Sequence, residues 1–305
     1  MTGLAMRERF AATVSELLDE DRSVAVVLAD ISVSMFAEAA ARHPDRVVNV
    51  GIREQLLVNV GAGMAMTGMR PVVHTFATFL LERGFEQVKL GFAHQGVGGV
   101  LVSAGASYDV SRGGRTHQAP GDVALLDTLP DWTIHVPGHP DEVDTLLRAA
   151  VAGDGSVYLR TSIQQNIQPM PVDGSGRMMV VRRGRRGTVV AVGPTLDSVL
   201  SATEGFDVTV LYATTIRPFD AQTLISTLGS PDVILVEPYL AGTSTRCVAE
   251  ALANVPHRVL GLGVPRVELR RYGRPEEHTS ALGLDAAGVR RSVTGFLGAN
   301  GTLLD

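Results

Sequence analysis

Cysteine is nearly absent. Cys247 stands alone among 305 residues, so the chain can close no intramolecular disulfide, and an oxidising compartment gains no support. Charge is sparse as well, at 19% of residues, and the net charge of -5 gives no electrostatic case for nucleic acid or anionic membrane as a partner. No apolar run approaches membrane-spanning length. The opening stretch, "MTGLAMRERFAATVSELLDEDR", is amphipathic and carries acidic residues, unlike a signal peptide. These absences point to the cytoplasm. What is abundant is apolar: 45% hydrophobic residues exclude wholesale disorder, and the length suffices for two ordinary cores. Cys247 lies in "TSTRCVAEAL", which reads as helix and gives the thiol a structural role.

Short β-branched runs alternate with longer helical patterns. Segments 23–30, 46–51, 70–76, 98–104, 132–137 and 156–160 read as strands, and 55–69, 79–94 and 139–152 as helices. Continuous apolar strands separated by helices predict a mostly parallel sheet covered on both faces. The stretch 164–187 then breaks the pattern with prolines, glycines and the basic "RRGRRG", which reads as solvated linker. Strand patterns resume at 188–193, 207–213, 231–238 and 257–264. The expected fold is α/β, with two three-layer domains at 1–170 and 188–305 joined by a linker at 171–187.

The stretch "RVVNVGIREQLLVNVGAGMAM" (46–66) places Glu54 just beyond a strand and a turning glycine, in a segment almost free of charge. Ligands of parallel α/β sheets sit beyond the carboxyl ends of strands. A solvated glutamate favoured by the helix dipole would occupy the same position. The neighbouring strand ends argue for more. "TFATF" (75–79) offers Phe76 and Phe79, "RTHQ" (115–118) follows a glycine-rich loop, and "VVLADISVS" (26–34) ends with Asp30 and two hydroxyls. A carboxylate beside aromatic rings describes a pocket that holds a flat heterocycle and protonates one of its nitrogens.

Together, "VGIREQ", "TFATF", "GGRTHQ", "VYLRTS" and the later "IRPFD" resemble the thiamine-diphosphate enzymes of the transketolase group. The likeness runs from Arg7 to the end of the chain. It covers the pyrimidine-binding domain and the C-terminal domain. The resemblance implies that Glu54 hydrogen-bonds the pyrimidine N1′ of thiamine diphosphate, so that the cofactor's own amino group activates the thiazolium carbon. It implies that Phe76 and Phe79 pack on the pyrimidine and that Asp30 lies at the cofactor. Apolar surroundings disfavour an ionised carboxylate, which suits a proton relay.

In such enzymes a separate domain holds the diphosphate through Mg²⁺, with a Gly-Asp-Gly motif and an asparagine pair. The one "GDG" here, at 153–155, runs directly into the strand 156–160 and reads as a turn. The resemblance therefore implies a split enzyme. A partner chain would supply the Mg²⁺ and diphosphate half, in an α2β2 assembly, and this chain would be inactive alone.

For substrate, Arg7, Ser34 and His117 match family contacts, with His117 also near the chemistry. Gly105 stands where a histidine is usual, and Ile163 replaces an arginine after "RTS". Arg112 and Gly113 replace an acidic pair. Losing the arginine removes a charge-assisted contact of roughly 1.5–3 kcal/mol. Arg112 is a candidate for meeting an anion from a new direction. The leading expectation is transfer of a two-carbon ketol unit. A 2-oxo acid dehydrogenase or decarboxylase β-subunit is the alternative, and a non-catalytic partner module the third reading. Among the other histidines, His74 beside "TF" is a candidate, and His43, His94, His257 and His278 fit surface or helix-end places.

Overall fold

A computed structural model describes residues 4–298. Strands β1 (Val24–Leu28), β2 (Val47–Asn49), β3 (Arg70–Phe76), β4 (Val100–Ala104), β5 (Trp132–His135) and β6 (Ser156–Arg160) belong to a first sheet. Strands β7 (Met179–Arg182), β8 (Thr188–Val192), β9 (Thr209–Ala213), β11 (Asp232–Leu240) and β12 (Arg258–Val264) form a second. One short strand, β10 (Thr215–Arg217), leaves the second half and joins the first sheet. The orders are β10-β5-β6-β4-β3-β1-β2 and β12-β11-β8-β9-β7. All pairs are parallel except β10 with β5 and β7 with β9. The expected α/β architecture of two mostly parallel sheets with helices on both sides is present.

Every residue of β1, β4, β8 and β9 is buried, as the unbroken apolar runs require of strands covered on both faces. On one face of the first sheet, the helices Met6–Glu20 and Pro140–Ala152 pack together over Val26, Val72, Val100 and Leu159. On the other face the helix Glu54–Met66 approaches so closely that a Cβ on Gly61 would stand 2.4 Å from Val73 Cγ2. This second core runs on through Trp132, Ile134 and Val136 to Val190, Leu211 and Leu235. The two sheets thus share one apolar interior, and β10 stitches them through Thr215 opposite His135.

Two features lie outside the simple alternation. The segment read as one helix over 79–94 contains π-helical turns at Thr78–Arg83 and Val88–Ala93, with a short helical turn at Phe85–Gln87 between them. Single extra residues in a helix produce such turns, and they concentrate at functional sites. The stretch 171–187 carries β7, because Met179 and Val180 pair with Tyr212 and Leu211. Gly153–Gly155 form the turn before β6, and a Cβ on Gly98 would meet the Asp154 carbonyl at 1.7 Å. Cys247 is a buried free thiol.

Candidate active site

The carboxyl ends of β1, β2, β3, β4 and β6 converge on one edge of the first sheet, and each delivers a residue picked out above. Beyond β2, Gly51 takes a left-handed φ of +71°, which turns the chain into the helix Glu54–Met66. Glu54 is the first residue of that helix, and only 2% of it is exposed. It is not alone there. Arg83, from the π-helical turn, donates to Glu54 Oε2 at 2.6 Å and is 41% exposed. The same guanidinium lies over the Phe79 ring, 4.1 Å from its centroid. The other Glu54 oxygen accepts no hydrogen bond among the described residues.

Phe76 ends β3, and Phe79 is the second residue of the π-helical turn. Their rings meet edge to face at 6.1 Å. His117 closes the group, 5.8 Å from Phe76 and 5.1 Å from Phe79. Glu54, Phe76, Phe79 and His117, each chosen from sequence, therefore form one continuous cluster through Arg83. The cluster fits a flat heterocycle with one ring nitrogen to be hydrogen-bonded: a buried carboxylate with a free oxygen stands beside aromatic walls.

Other expected residues sit differently. Asp30, exposed and at φ +62°, accepts from Asn49 Nδ2 at 3.0 Å, while its own N–H donates to Asn49 Oδ1 at 3.0 Å. Ser34 is exposed on the turn Val33–Phe36, and the hydroxyl that meets Arg7 belongs to Ser32, which accepts from Arg7 Nε at 2.8 Å. Arg112 is exposed and forms no ion pair among the described residues. His278 is buried and stacked 5.5 Å from Tyr108, not on the surface. It belongs to the helix Pro275–Ala281.

The replaced positions have local causes. Gly105 has φ +68°, and a Cβ there would stand 2.7 Å from Val110 Cγ2 and 2.9 Å from Phe76 Cδ1. A Cβ on Gly113 would reach His117 Nδ1 at 2.8 Å. The "RTS" arginine is structural. Arg160 and Asp122 are both fully buried and paired at 2.7 Å, and Tyr158 donates to the same Asp122 oxygen at 2.7 Å. Burial pushes the Asp109 carboxyl up, while hydrogen bonds from Ile163 N–H, Gln164 and Ser162 pull it back. Those bonds fix the loop that presents Ile163, which is 61% exposed.

Sequence reasoning missed Arg83, Ser32 and Asn49. Arg83 had a signal, since it follows Phe79 by four residues in a segment read as helix, the spacing that puts two side chains on one face. Also missed was the strap 265–274 from the second half. Its Glu268 pairs with Arg115 at 3.1 Å, Gln118 Nε2 donates to the Arg271 carbonyl at 3.3 Å, and Tyr272 covers Gly114.

Comparison with known proteins gives the family. Residues 2–167 match the family described as "Transketolase, pyrimidine binding domain", and residues 176–289 match "Transketolase, C-terminal domain". The chain is 53% identical to an "Uncharacterized 33.6 kDa protein in fasciation locus" of Rhodococcoides fascians, over 95% of this chain and 94% of that one. It is 33% identical to 1-deoxy-D-xylulose-5-phosphate synthase of Acidovorax ebreus, over 92% of this chain but only 46% of the synthase. The chain thus spans about half the length of that relative. A solved structure described as "Split gene transketolase, inactive beta4 tetramer" superposes with a TM-score of 0.83 and 28% identity, covering 97% of this chain and 98% of that one.

Proposed function

This chain belongs to the transketolase family, and from that premise we propose that it is the C-terminal subunit of a split, thiamine-diphosphate-dependent transferase of ketol units. The buried Glu54 at the carboxyl edge of the sheet, beside Phe76, Phe79 and His117, is the observation that carries the reading. The end-to-end likeness to a split-gene transketolase chain supports a division of the enzyme between two polypeptides. The partner would carry the Mg²⁺ and diphosphate half, in an α2β2 assembly, and the proposed division of this chain falls at 171–187. No described helix is long and apolar enough to cross a membrane.

In this reading bound thiamine diphosphate would supply a nucleophilic carbon and an electron sink. The chain's own residues hold and tune it. The free oxygen of Glu54 takes or gives a proton at the pyrimidine N1′, while Arg83 holds the carboxylate in place. Phe76 and Phe79 wall the ring, with Asp30 beside the cofactor. His117, fixed against both rings, hydrogen-bonds the substrate. Arg7 grips an anionic group, and the exposed Ser34 and Arg112 are further substrate contacts. Gly105 and Ile163 lack the polar groups that would hold a sugar phosphate, which favours a smaller or differently placed anion and keeps a 2-oxo acid donor as the second reading.

Glu54→Gln tests the role. It keeps the shape and removes the transferable proton, so turnover of the assembled enzyme should fall by about 10²–10⁴ with the fold intact. Unchanged turnover would leave Glu54 as a helix-start carboxylate.

A further inference from the structure

We propose that Ser32 and His74 are positioning residues that aim Arg7 at an oxyanion, carboxylate or phosphate. Only the naming of that anion as substrate rests on the thiamine-enzyme reading.

His74 occupies the middle of β3, fully buried, where Val72 and Val73 beside it are ordinary core residues. Its Nδ1 lies 2.9 Å from the Val102 carbonyl, which can only accept, so Nδ1 carries the proton. Burial holds the ring neutral, its pKa pushed down to about 3. Nε2 is then an acceptor, and Ser32 Oγ at 2.8 Å must donate to it. That fixes the remaining Ser32 lone pairs as acceptors, and Arg7 Nε donates to them at 2.8 Å. Every direction in the series from Arg7 to Ser32 to His74 to the Val102 carbonyl is determined. Phe10, one turn after Arg7 on the same helix, packs on the His74 ring at 4.4 Å and locks the series from the side.

Two partly buried arginines that hold this fold together spend both terminal nitrogens on backbone carbonyls. Arg46 donates from both to the carbonyls of Asp21, Val24 and Leu18, and Arg70 does so to Gly155 and Ala150. Arg7 differs. It is half-buried, bound through Nε alone to a neutral hydroxyl, and pairs with no carboxylate among the described residues. Its two terminal amino groups keep the fork that matches an oxyanion. Ser32 adopts a left-handed φ of +64° to reach both partners, a conformation unusual for serine. A core that needed only packing at position 74 would hold another valine.

The test labels the arginines of the full chain with ¹⁵N and follows the Arg7 Nε–H, assigned by its loss in Arg7→Lys. Inorganic phosphate and acetate are titrated separately, so that the two sources of oxyanion are told apart. Ser32→Ala and His74→Phe should speed solvent exchange of that proton about tenfold and weaken the anion response about tenfold, near the effect of one hydrogen bond. His74→Gln, which keeps both a donor and an acceptor, should restore much of each. A response to either anion supports the proposal and names the source. Unchanged exchange and anion response in Ser32→Ala, which needs no core repacking, overturns it, as does a wild-type Arg7 that answers neither anion. No thiamine is present, so failure here leaves the cofactor reading standing, and failure of Glu54→Gln leaves this one.

Discussion

Arg83 and Glu54 form an ion pair across 29 residues of sequence, 2.6 Å apart, with the carboxylate buried and the guanidinium reaching solvent. The pair explains how a buried carboxylate opens a helix otherwise without charge: its counter-ion comes from the neighbouring helical turn.

Removing that counter-ion should cost stability before it costs chemistry. Arg83→Met leaves Glu54 buried without its only hydrogen-bond donor among the described residues, and a loss of about 1–3 kcal/mol is expected. The exposed arginine end keeps the effect below that of a fully buried pair. Urea unfolding of the variant measures it, with Arg83→Lys retaining part of the difference. Equal midpoints for wild type and Arg83→Met would mean the pair contributes nothing.

The Asp122–Arg160 pair is the harsher case. Both groups are fully buried, and Tyr158 shares the carboxylate. Asp122→Asn should destabilise the chain by about 3–5 kcal/mol, because it strands a buried guanidinium. The double variant Asp122→Asn with Arg160→Met should recover part of that loss, and a thermodynamic cycle reads the difference.

Restoring the family's histidine at position 105 should not be benign. The left-handed φ and the contacts with Val110 and Phe76 predict that Gly105→His lowers stability by roughly 1–3 kcal/mol. It should also disturb the Phe76 ring. Chemical denaturation gives the first quantity and the aromatic resonances of Phe76 and His117 the second. A stable variant with an unmoved Phe76 would show that the loop yields freely.

Acid should weaken the fold in a defined window. Burial lowers the pKa of His74 to about 3 and of His135 to about 4, from an ordinary 6.5. Both are neutral when folded, so the unfolded chain binds more protons below pH 6.5. Their contribution is whole above that pH and is lost as pH falls towards 4 and then 3, by up to about 1.4 kcal/mol per pH unit for each. His135→Gln should flatten the slope between pH 6 and pH 4 relative to wild type. An unchanged slope would assign the acid sensitivity elsewhere.

Substrate choice follows from the polar groups missing at Gly105 and Ile163. Xylulose 5-phosphate should be a poor donor for the assembled enzyme relative to small 2-oxo acids. Ile163→Arg, on the exposed loop after β6, should improve its kcat/KM by about tenfold, the worth of one charge-assisted contact. Efficient wild-type use of xylulose 5-phosphate would show that other groups supply the grip.

Most strands were legible to within two or three residues, because a parallel sheet buried on both faces writes itself as unbroken apolar runs. The bounds of β3 and β6 coincide with the sequence reading. β10 was not legible: three residues beside a proline carry no periodicity, and they pair only because β5 offers an open edge. β7 hid in the basic stretch, where its partner β9 gives it a reason to extend.

The sequence by itself determined the residue types at the strand ends, and so placed Glu54, Phe76, Phe79 and His117 on one edge, since parallel strands present their carboxyl ends together. Only the tertiary structure decided which groups touch. It gave Glu54 its Arg83 and Arg7 its Ser32, and wired His74 behind them. Hydrogen bonds and ion pairs depend on separations of a few ångströms between residues far apart in the chain, and those separations exist only once the two sheets and their helices have closed on a common core.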